Sequence, residues 1–287
     1  MTKRVLKSWC GGRLRWLASF VGVVLTSSLG ALALLPAGAQ ATGTTVPVVK
    51  HLTLEPMPYG TVTFSRGGGR LTVRPDMAGL TPGSAHAVQL VRPGSASPVS
   101  FGTLPANQVG QAHATLHSSH TGGIPSGSML VIRDGTTSGG VPGEPIAKTE
   151  ALSGIPSSAV KLTAAEVSSA GVSYGTPQGT ATITYNPDAR TLTVAVNASG
   201  LTPGAHAAHI HTGSCQSQGP VKYMLIDFVA DAHGKIVNEA RTVRDVRTPV
   251  PASGWYFNLH QGNHSNILTS SGMPTIFFRP LLCSPIS

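Results

Sequence analysis

The chain has 287 residues, enough for two domains of ordinary size, and contains few aromatic (5%) or charged (11%) residues. Its 34 glycines and 22 prolines predict many turns and short strands, and they disfavour a largely helical fold. The formal net charge is +9, but five of the positive charges precede residue 16, and no basic stripe interleaved with aromatic residues follows them. This distribution argues against nucleic acid as a partner.

The N-terminal segment, residues 1–41, has the order of an export signal. A basic start is followed by an apolar stretch from Trp16 to Leu35, and then by a proline and a run of small residues. We expect cleavage after Ala39 or Ala41, which gives a secreted or cell-envelope protein with no membrane association after cleavage. The alternative is a retained anchor, because about twenty apolar residues could span a bilayer.

Cysteine usage agrees with export. Removal of the signal would take Cys10 with it and leave Cys215 and Cys283 in the mature chain. An even pair of cysteines in an exported protein predicts one disulfide, and two buried free thiols are the alternative.

The two halves of the chain repeat one sequence pattern in the same order. Gly-Leu-Thr-Pro-Gly occurs at 79–83 and again at 200–204, each time after a strand-like Leu-Thr-Val and before an Ala-His-Ala. Residues 126–135 near the end of the first copy align with residues 253–262 of the second. The order and spacing persist over about eighty residues, which indicates two copies of one structural unit.

Within each copy the periodicity is that of β-strands. Leu192, Val194 and Val196 share one face of a predicted strand, and turn residues precede and follow it. Short strands at regular spacing predict an all-β fold, with a sandwich or small barrel in each copy. We therefore predict two β domains, residues 42–154 and residues 155–287.

The second copy has a histidine pattern typical of a metal site. His209 and His211 are separated by one residue on a predicted strand, so both imidazoles share a face, roughly 6–7 Å apart at the backbone. His206 lies three residues earlier and would point the opposite way, as an outer or packing histidine rather than a ligand. His260 ends another predicted strand and could join the pair if the two strands lie on facing parts of one sandwich.

The first copy lacks these three histidines. Their positions hold Gln89, Val91 and Arg133, whereas His86 still matches His206. Loss of all three together is expected if only one copy carries a metal site, and independent drift of surface residues is the alternative. Three neutral imidazoles suit copper or zinc equally, so ligand type alone does not choose the metal.

The segment from Gly200 to His211, with Cys215 shortly after it, resembles the copper-ligand strand of copper/zinc superoxide dismutases. It also resembles the chordin-type (CHRD) domain, which carries a similar His-Ile-His, a Gly-Pro-Val like residues 219–221, and a motif similar to residues 255–260. The resemblance implies two Greek-key β-sandwich domains in tandem, immunoglobulin-like or superoxide dismutase-like, of which the first is a degenerate copy.

The dismutase resemblance also implies roles for individual residues. It makes three histidines the copper ligands: His209, His211 and His260. A disulfide between Cys215 and Cys283 would pin the ligand loop to the last strand. Arg279 would guide superoxide to the copper, although its spacing differs by one residue, and an ordinary surface arginine is the alternative.

This chain departs from the dismutase pattern at the zinc site. Val221 stands where that pattern has a histidine bridging copper and zinc, and residues 222–231 lack a recognisable set of zinc ligands. We therefore expect one copper ion and no zinc. Dismutation would then use water as the proton donor.

Taken together, these patterns favour an exported copper-binding protein of the superoxide dismutase-like type, with superoxide as the substrate of a copper-dependent oxidoreductase. Two alternatives are a metal-binding protein without catalysis, and a chordin-like extracellular interaction module whose histidines serve packing. The sequence leaves open whether the protein is an enzyme.

Overall fold

The computed structural model describes residues 45–135 and 143–287. The export signal predicted at residues 1–41 lies outside these ranges. Within them, no helix combines the length and the apolar character that crossing a membrane requires.

The first half of the described chain forms nine strands. These are β1 (Val48–Pro56), β2 (Tyr59–Gly67), β3 (Arg70–Ala78), β4 (Ala85–Val91), β5 (Val99–Pro105), β6 (Ala112–His113), β7 (Leu116–His117), β8 (Met129–Asp134) and β9 (Pro145–Lys148). In β2, Val62 and Phe64 are buried, whereas the threonines beside them are exposed. The alternation predicted from the sequence therefore places every second residue in an apolar core.

The second half forms ten further strands and one helical turn. The strands are β10 (Val160–Ala164), β11 (Val167–Ser169), β12 (Val172–Gly175), β13 (Gln178–Asn186), β14 (Thr191–Ser199), β15 (Gly204–Gly213), β16 (Gln218–Ala230), β17 (Ile236–Val243), β18 (Trp255–His260) and β19 (Pro280–Ile286). A 3-10 helix at Ile276–Phe278 immediately precedes β19. The predicted face of Leu192, Val194 and Val196 is buried in β14.

The strands form two large antiparallel sheets in tandem. The order in the first is β5-β4-β8-β9-β10-β2-β3-β6, with β7 also paired to β3, and the order in the second is β16-β15-β18-β19-β1-β13-β14-β17. In each sheet the edge strands approach one another, β5 near β6 and β7, and β16 near β17. Each sheet therefore nearly closes around its own apolar core. The predicted all-β fold with two tandem units is confirmed.

One strand is exchanged between the two sheets. β1 lies between β13 and β19 in the second sheet, and β10 takes the corresponding place in the first sheet, between β9 and β2. Apart from this exchange the two strand orders are identical, as expected for two copies of one unit. The domain limits 42–154 and 155–287 stay a prediction, and backbone hydrogen bonds cross them at both exchanged strands.

The disulfide predicted from the cysteine count is present. Cys215 and Cys283 are bonded, with their Cα atoms 5.9 Å apart. The bond joins the segment after β15 to β19, and it packs in a small apolar cluster with Met57 and Tyr256.

Candidate metal centre

Two of the three predicted ligands lie on the outer face of the second sheet. In β15, Ala208 and Ile210 belong to the core of the second sheet, so the alternating side chains of His209 and His211 project from its other face. Residues 261–279 lie across this face, because His264 contacts His209 and Phe278 contacts His260. The two strand histidines are each only 3% exposed.

The third predicted ligand comes from the neighbouring strand. β18 pairs directly with β15, and Asn258 lies opposite His209 in the register. His260 is two residues beyond Asn258, so it shares its face and sits diagonally across from His209. The two strands do not lie on facing parts of a sandwich, because they are hydrogen-bonded neighbours. Side chains on the same face of two paired strands are close neighbours, so this pairing places the ring of His260 beside that of His209.

The three imidazoles meet at one point. Each offers one ring nitrogen, and these three nitrogens all lie within 4.8 Å of one another. The closest approach is 3.1 Å, between Nδ1 of His209 and Nε2 of His260. All three residues are buried, and His260 has no exposed surface. The cluster could therefore hold a metal ion.

Backbone carbonyls determine which nitrogen two of the rings offer. Nδ1 of His211 lies 2.8 Å from the carbonyl oxygen of Gly219, and Nδ1 of His260 is hydrogen-bonded to the carbonyl oxygen of Phe278. A carbonyl only accepts, so each Nδ1 donates a proton and each Nε2 keeps its lone pair. Nε2 of His211 is buried and has no hydrogen-bond partner among the described residues. The site thus contains an unpaired ring nitrogen with a free lone pair, which a metal ion would satisfy.

Gly219 allows this carbonyl to reach the site. A Cβ atom at this position would lie 2.1 Å from the carbonyl oxygen of Thr212, so a side chain does not fit. The amide of Gly219 donates to the hydroxyl of Tyr256 over 3.3 Å, and the ring of Tyr256 stacks on His211 at 4.9 Å between centroids. Gly219 and Tyr256 therefore fix the orientation of His211 together.

The buried rings are uncharged at neutral pH. Burial lowers the pKa of His209 to about 2, with a further contribution from the charges that neighbouring His260, His211 and His264 would carry. Burial likewise lowers the pKa of His260 to about 3, against the opposing effect of its hydrogen bond to Phe278. Burial also lowers the pKa of His211. Neutral imidazole is the form that binds metals, so the site needs no deprotonation to accept an ion.

His206 lies outside the cluster. Its Nδ1 is 2.9 Å from the carbonyl oxygen of His260, and its Nε2 is 2.8 Å from the carbonyl oxygen of Thr202. The side chain therefore supports the backbone that carries His260 and contributes no nitrogen to the three-histidine cluster. This placement agrees with the sequence interpretation of His206 as an outer histidine.

Arg279 is buried at the junction with the first half. Its side chain is paired with Asp134 of β8, with 3.8 Å between Nη1 and Oδ2, and the residue is only 5% exposed. Burial lowers the pKa of Arg279, and the negative charge of Asp134 opposes that effect. The role of guiding superoxide stays a prediction for this residue.

The sequence interpretation missed two residues beside the site. Nε2 of His264 lies 3.0 Å from Nε2 of His209, and Nδ1 of His264 is hydrogen-bonded to a carboxylate oxygen of Asp227. His264 follows β18 in a loop, where no strand alternation reveals which side chain points inward. The spacing of four residues after His260 was the one available signal.

The strands that carry the three clustered histidines lie in a region that matches a known family. Residues 158–266 match the family model of the CHRD domain. The matched region contains all three clustered histidines together with Asp227 and His264, and it ends before Arg279 and Cys283. A comparison with curated proteins found no match. The resemblance to the chordin-type domain is thus confirmed for the second copy, which carries a buried histidine cluster.

Proposed function

We propose that this chain is an exported protein that binds one copper ion through His209, His211 and His260. The observation that carries the proposal is the convergence of three buried, neutral ring nitrogens, one of which has no other partner. Burying a polar nitrogen without a hydrogen bond is costly, and a bound cation removes that cost. Because the three imidazoles alone do not choose between copper and zinc, copper is proposed from the resemblance of residues 200–211 to the copper-ligand strand of copper/zinc superoxide dismutases.

The export half of the proposal is supported by the disulfide between Cys215 and Cys283. Such bonds persist in oxidising compartments outside the cytoplasm and are rare within it. The basic and apolar order of residues 1–41 supports the same conclusion. We place the mature protein in the extracytoplasmic space, as a secreted or cell-envelope protein.

A second candidate function is the disproportionation of superoxide. It is favoured by the three-imidazole donor set and by the disulfide, which ties the segment after β15 to β19 as the dismutase resemblance implies. Copper bound at this site would supply one-electron redox chemistry. The surrounding residues exclude bulk water, because no ligand side chain is more than 3% exposed. Only a small substrate could approach such a site.

The experiment is a titration of metal-free protein with Cu(II), followed by absorption and electron paramagnetic resonance. We expect one equivalent to bind with nitrogen hyperfine structure, and His260→Ala to weaken binding at least about 100-fold, more than the loss of an outer hydrogen bond typically costs. His233→Ala, which removes an exposed histidine, is the matched control. Equal affinities for the wild type and His260→Ala would refute the ligand assignment.

A superoxide decay assay on the copper-loaded protein then separates the two candidates. Decay faster than that of the metal-free protein, and lost in His260→Ala, supports disproportionation. Unchanged decay refutes the enzyme and leaves a copper-binding protein without catalysis. If no copper binds at all, both fail, and the chordin-like interaction module remains.

A further inference from the structure

Two residues outside the three-histidine cluster form a chain of hydrogen bonds to it. His264 Nε2 lies 3.0 Å from His209 Nε2, and the other nitrogen of His264 bonds to Asp227. The backbone amide of His264 also donates to the same carboxylate oxygen over 3.3 Å. Asp227 therefore binds both the backbone amide and Nδ1 of His264, and His264 in turn contacts Nε2 of His209.

The position of each proton along this series of hydrogen bonds follows from the carboxylate of Asp227 at one end. A carboxylate only accepts, so Nδ1 of His264 donates to Asp227, and in the neutral ring Nε2 of His264 then keeps its lone pair. The 3.0 Å contact then requires Nε2 of His209 to be the donor. A neutral imidazole has one proton, so Nδ1 of His209 keeps a lone pair as well. That lone pair faces Nε2 of His260 at 3.1 Å.

Without this series of hydrogen bonds, His209 could adopt its other tautomer and occupy the lone pair that a metal needs. His209 could carry its proton on Nδ1 and donate it to Nε2 of His260, and the two rings would satisfy each other. With the proton held on Nε2 of His209, two lone pairs face each other across 3.1 Å, and a bound cation would relieve their repulsion.

We propose that His264 and Asp227 are a positioning pair that keeps His209 in the tautomer presenting Nδ1 to the metal. The inference rests on the proposed metal site. The pair acts through His209 and is not a further ligand, since His264 does not belong to the group of nitrogens that lie within 4.8 Å of one another. Both side chains are 25% exposed, so they can be changed without opening a cavity in the core.

Three variants separate positioning from simple packing. His264→Phe keeps a ring but removes the acceptor, His264→Gln keeps an acceptor oxygen, and Asp227→Asn removes the charge that orients His264. His233→Phe changes an exposed histidine in the same way and is the control. Far-ultraviolet circular dichroism on each variant checks that the fold is retained.

The first measurement is the tautomer of His209 in the metal-free protein, from nitrogen-15 chemical shifts. We expect the proton on Nε2 in the wild type, in His264→Gln and in the control, and a shift towards Nδ1 in His264→Phe. An unchanged tautomer in His264→Phe overturns the proposal. Should that variant not fold, a smaller shift in the same direction is expected in Asp227→Asn, and its absence has the same meaning.

The second measurement is the affinity for Cu(II) alone. We expect His264→Phe to bind about 10- to 100-fold more weakly than wild type and His264→Gln to recover most of the loss. An equal loss in both variants would make His264 a ligand and overturn the positioning role. If the wild type binds no copper, the proposed function fails, whereas the tautomer measurement still decides the role of the pair.

Discussion

The two copies place different chemistry at the same pair of positions. In the first copy, Nε of Arg133 donates to Oε1 of Gln89 over 3.0 Å. In the second, the equivalent positions hold His260 and His209, whose ring nitrogens approach to 3.1 Å. The neighbouring strand pairs are the same in both, β4 with β8 and β15 with β18.

The difference shows that the scaffold does not require the histidines. The first copy fills the pair with a donor and an acceptor that satisfy each other, and its sheet has the same strand order. The second copy instead buries ring nitrogens, one of which lacks a partner. A buried polar atom without a partner is costly, so it indicates a function rather than a contribution to stability.

The sharpest test exchanges the chemistry between the copies. We expect the double variant His209→Gln/His260→Arg to fold with the hydrogen bond of the first copy and to lose copper binding, by at least about 100-fold. Single His260→Arg buries a cation without its acceptor and should lower the free energy of unfolding by about 3 kcal/mol. Urea denaturation and copper titration measure both effects. A single variant as stable as the double variant would show that the two positions are not coupled.

Acid should destabilise the metal-free second copy through the same residues. The folded-state pKa values of His209 and His260 are about 2 and about 3, below the ordinary value of 6.5. At pH values between the folded-state pKa values and 6.5, the unfolded chain binds protons that the folded chain does not. The free energy of unfolding therefore falls as the pH falls below about 6.5. Each ring contributes up to about 1.4 kcal/mol per pH unit.

Urea denaturation of the metal-free protein between pH 4 and 7 measures this slope. The double variant His209→Gln/His260→Arg removes both titrating rings and should show a shallower dependence than wild type. Identical slopes would mean that the two histidines are protonated in the folded protein as readily as in the unfolded chain.

A smaller effect is expected where the copies meet. Asp134 of the first copy lies 3.8 Å from the guanidinium of buried Arg279 in the second. Asp134→Asn leaves that cation less compensated and should lower the free energy of unfolding by about 2 kcal/mol. Asp76→Asn, at an exposed position, is the control. Equal denaturation midpoints for the two variants would show that the ion pair contributes nothing.

The fold and most of the candidate site could be predicted because they depend on local patterns. Alternation places His209 and His211 on one face, and the repeat aligns His260 with Arg133. The first follows from the two-residue period of strands and the second from the internal repeat, and the sequence displays both directly. The pairing of Cys215 with Cys283 follows from there being only two cysteines after the export signal predicted at residues 1–41.

The exchange of β1 and β10 could not be predicted in this way. Leu52 and Leu54 are buried in β1, and Leu162 and Ala164 are buried in β10, so both strands have the same alternation. Either strand suits either sheet, and the choice depends on connections that periodicity does not describe. His264 was missed for a related reason, since a loop has no period.

The exchanged strands have a consequence for proteolysis. The linker between β9 and β10 is exposed at Ser157, Ser158 and Ala159, where a protease could cut. After such a cut, each fragment would still have one strand threaded into the sheet of the other. We expect the two pieces to stay associated under native conditions and to separate only in denaturant, so that a nicked molecule would keep its three-histidine cluster.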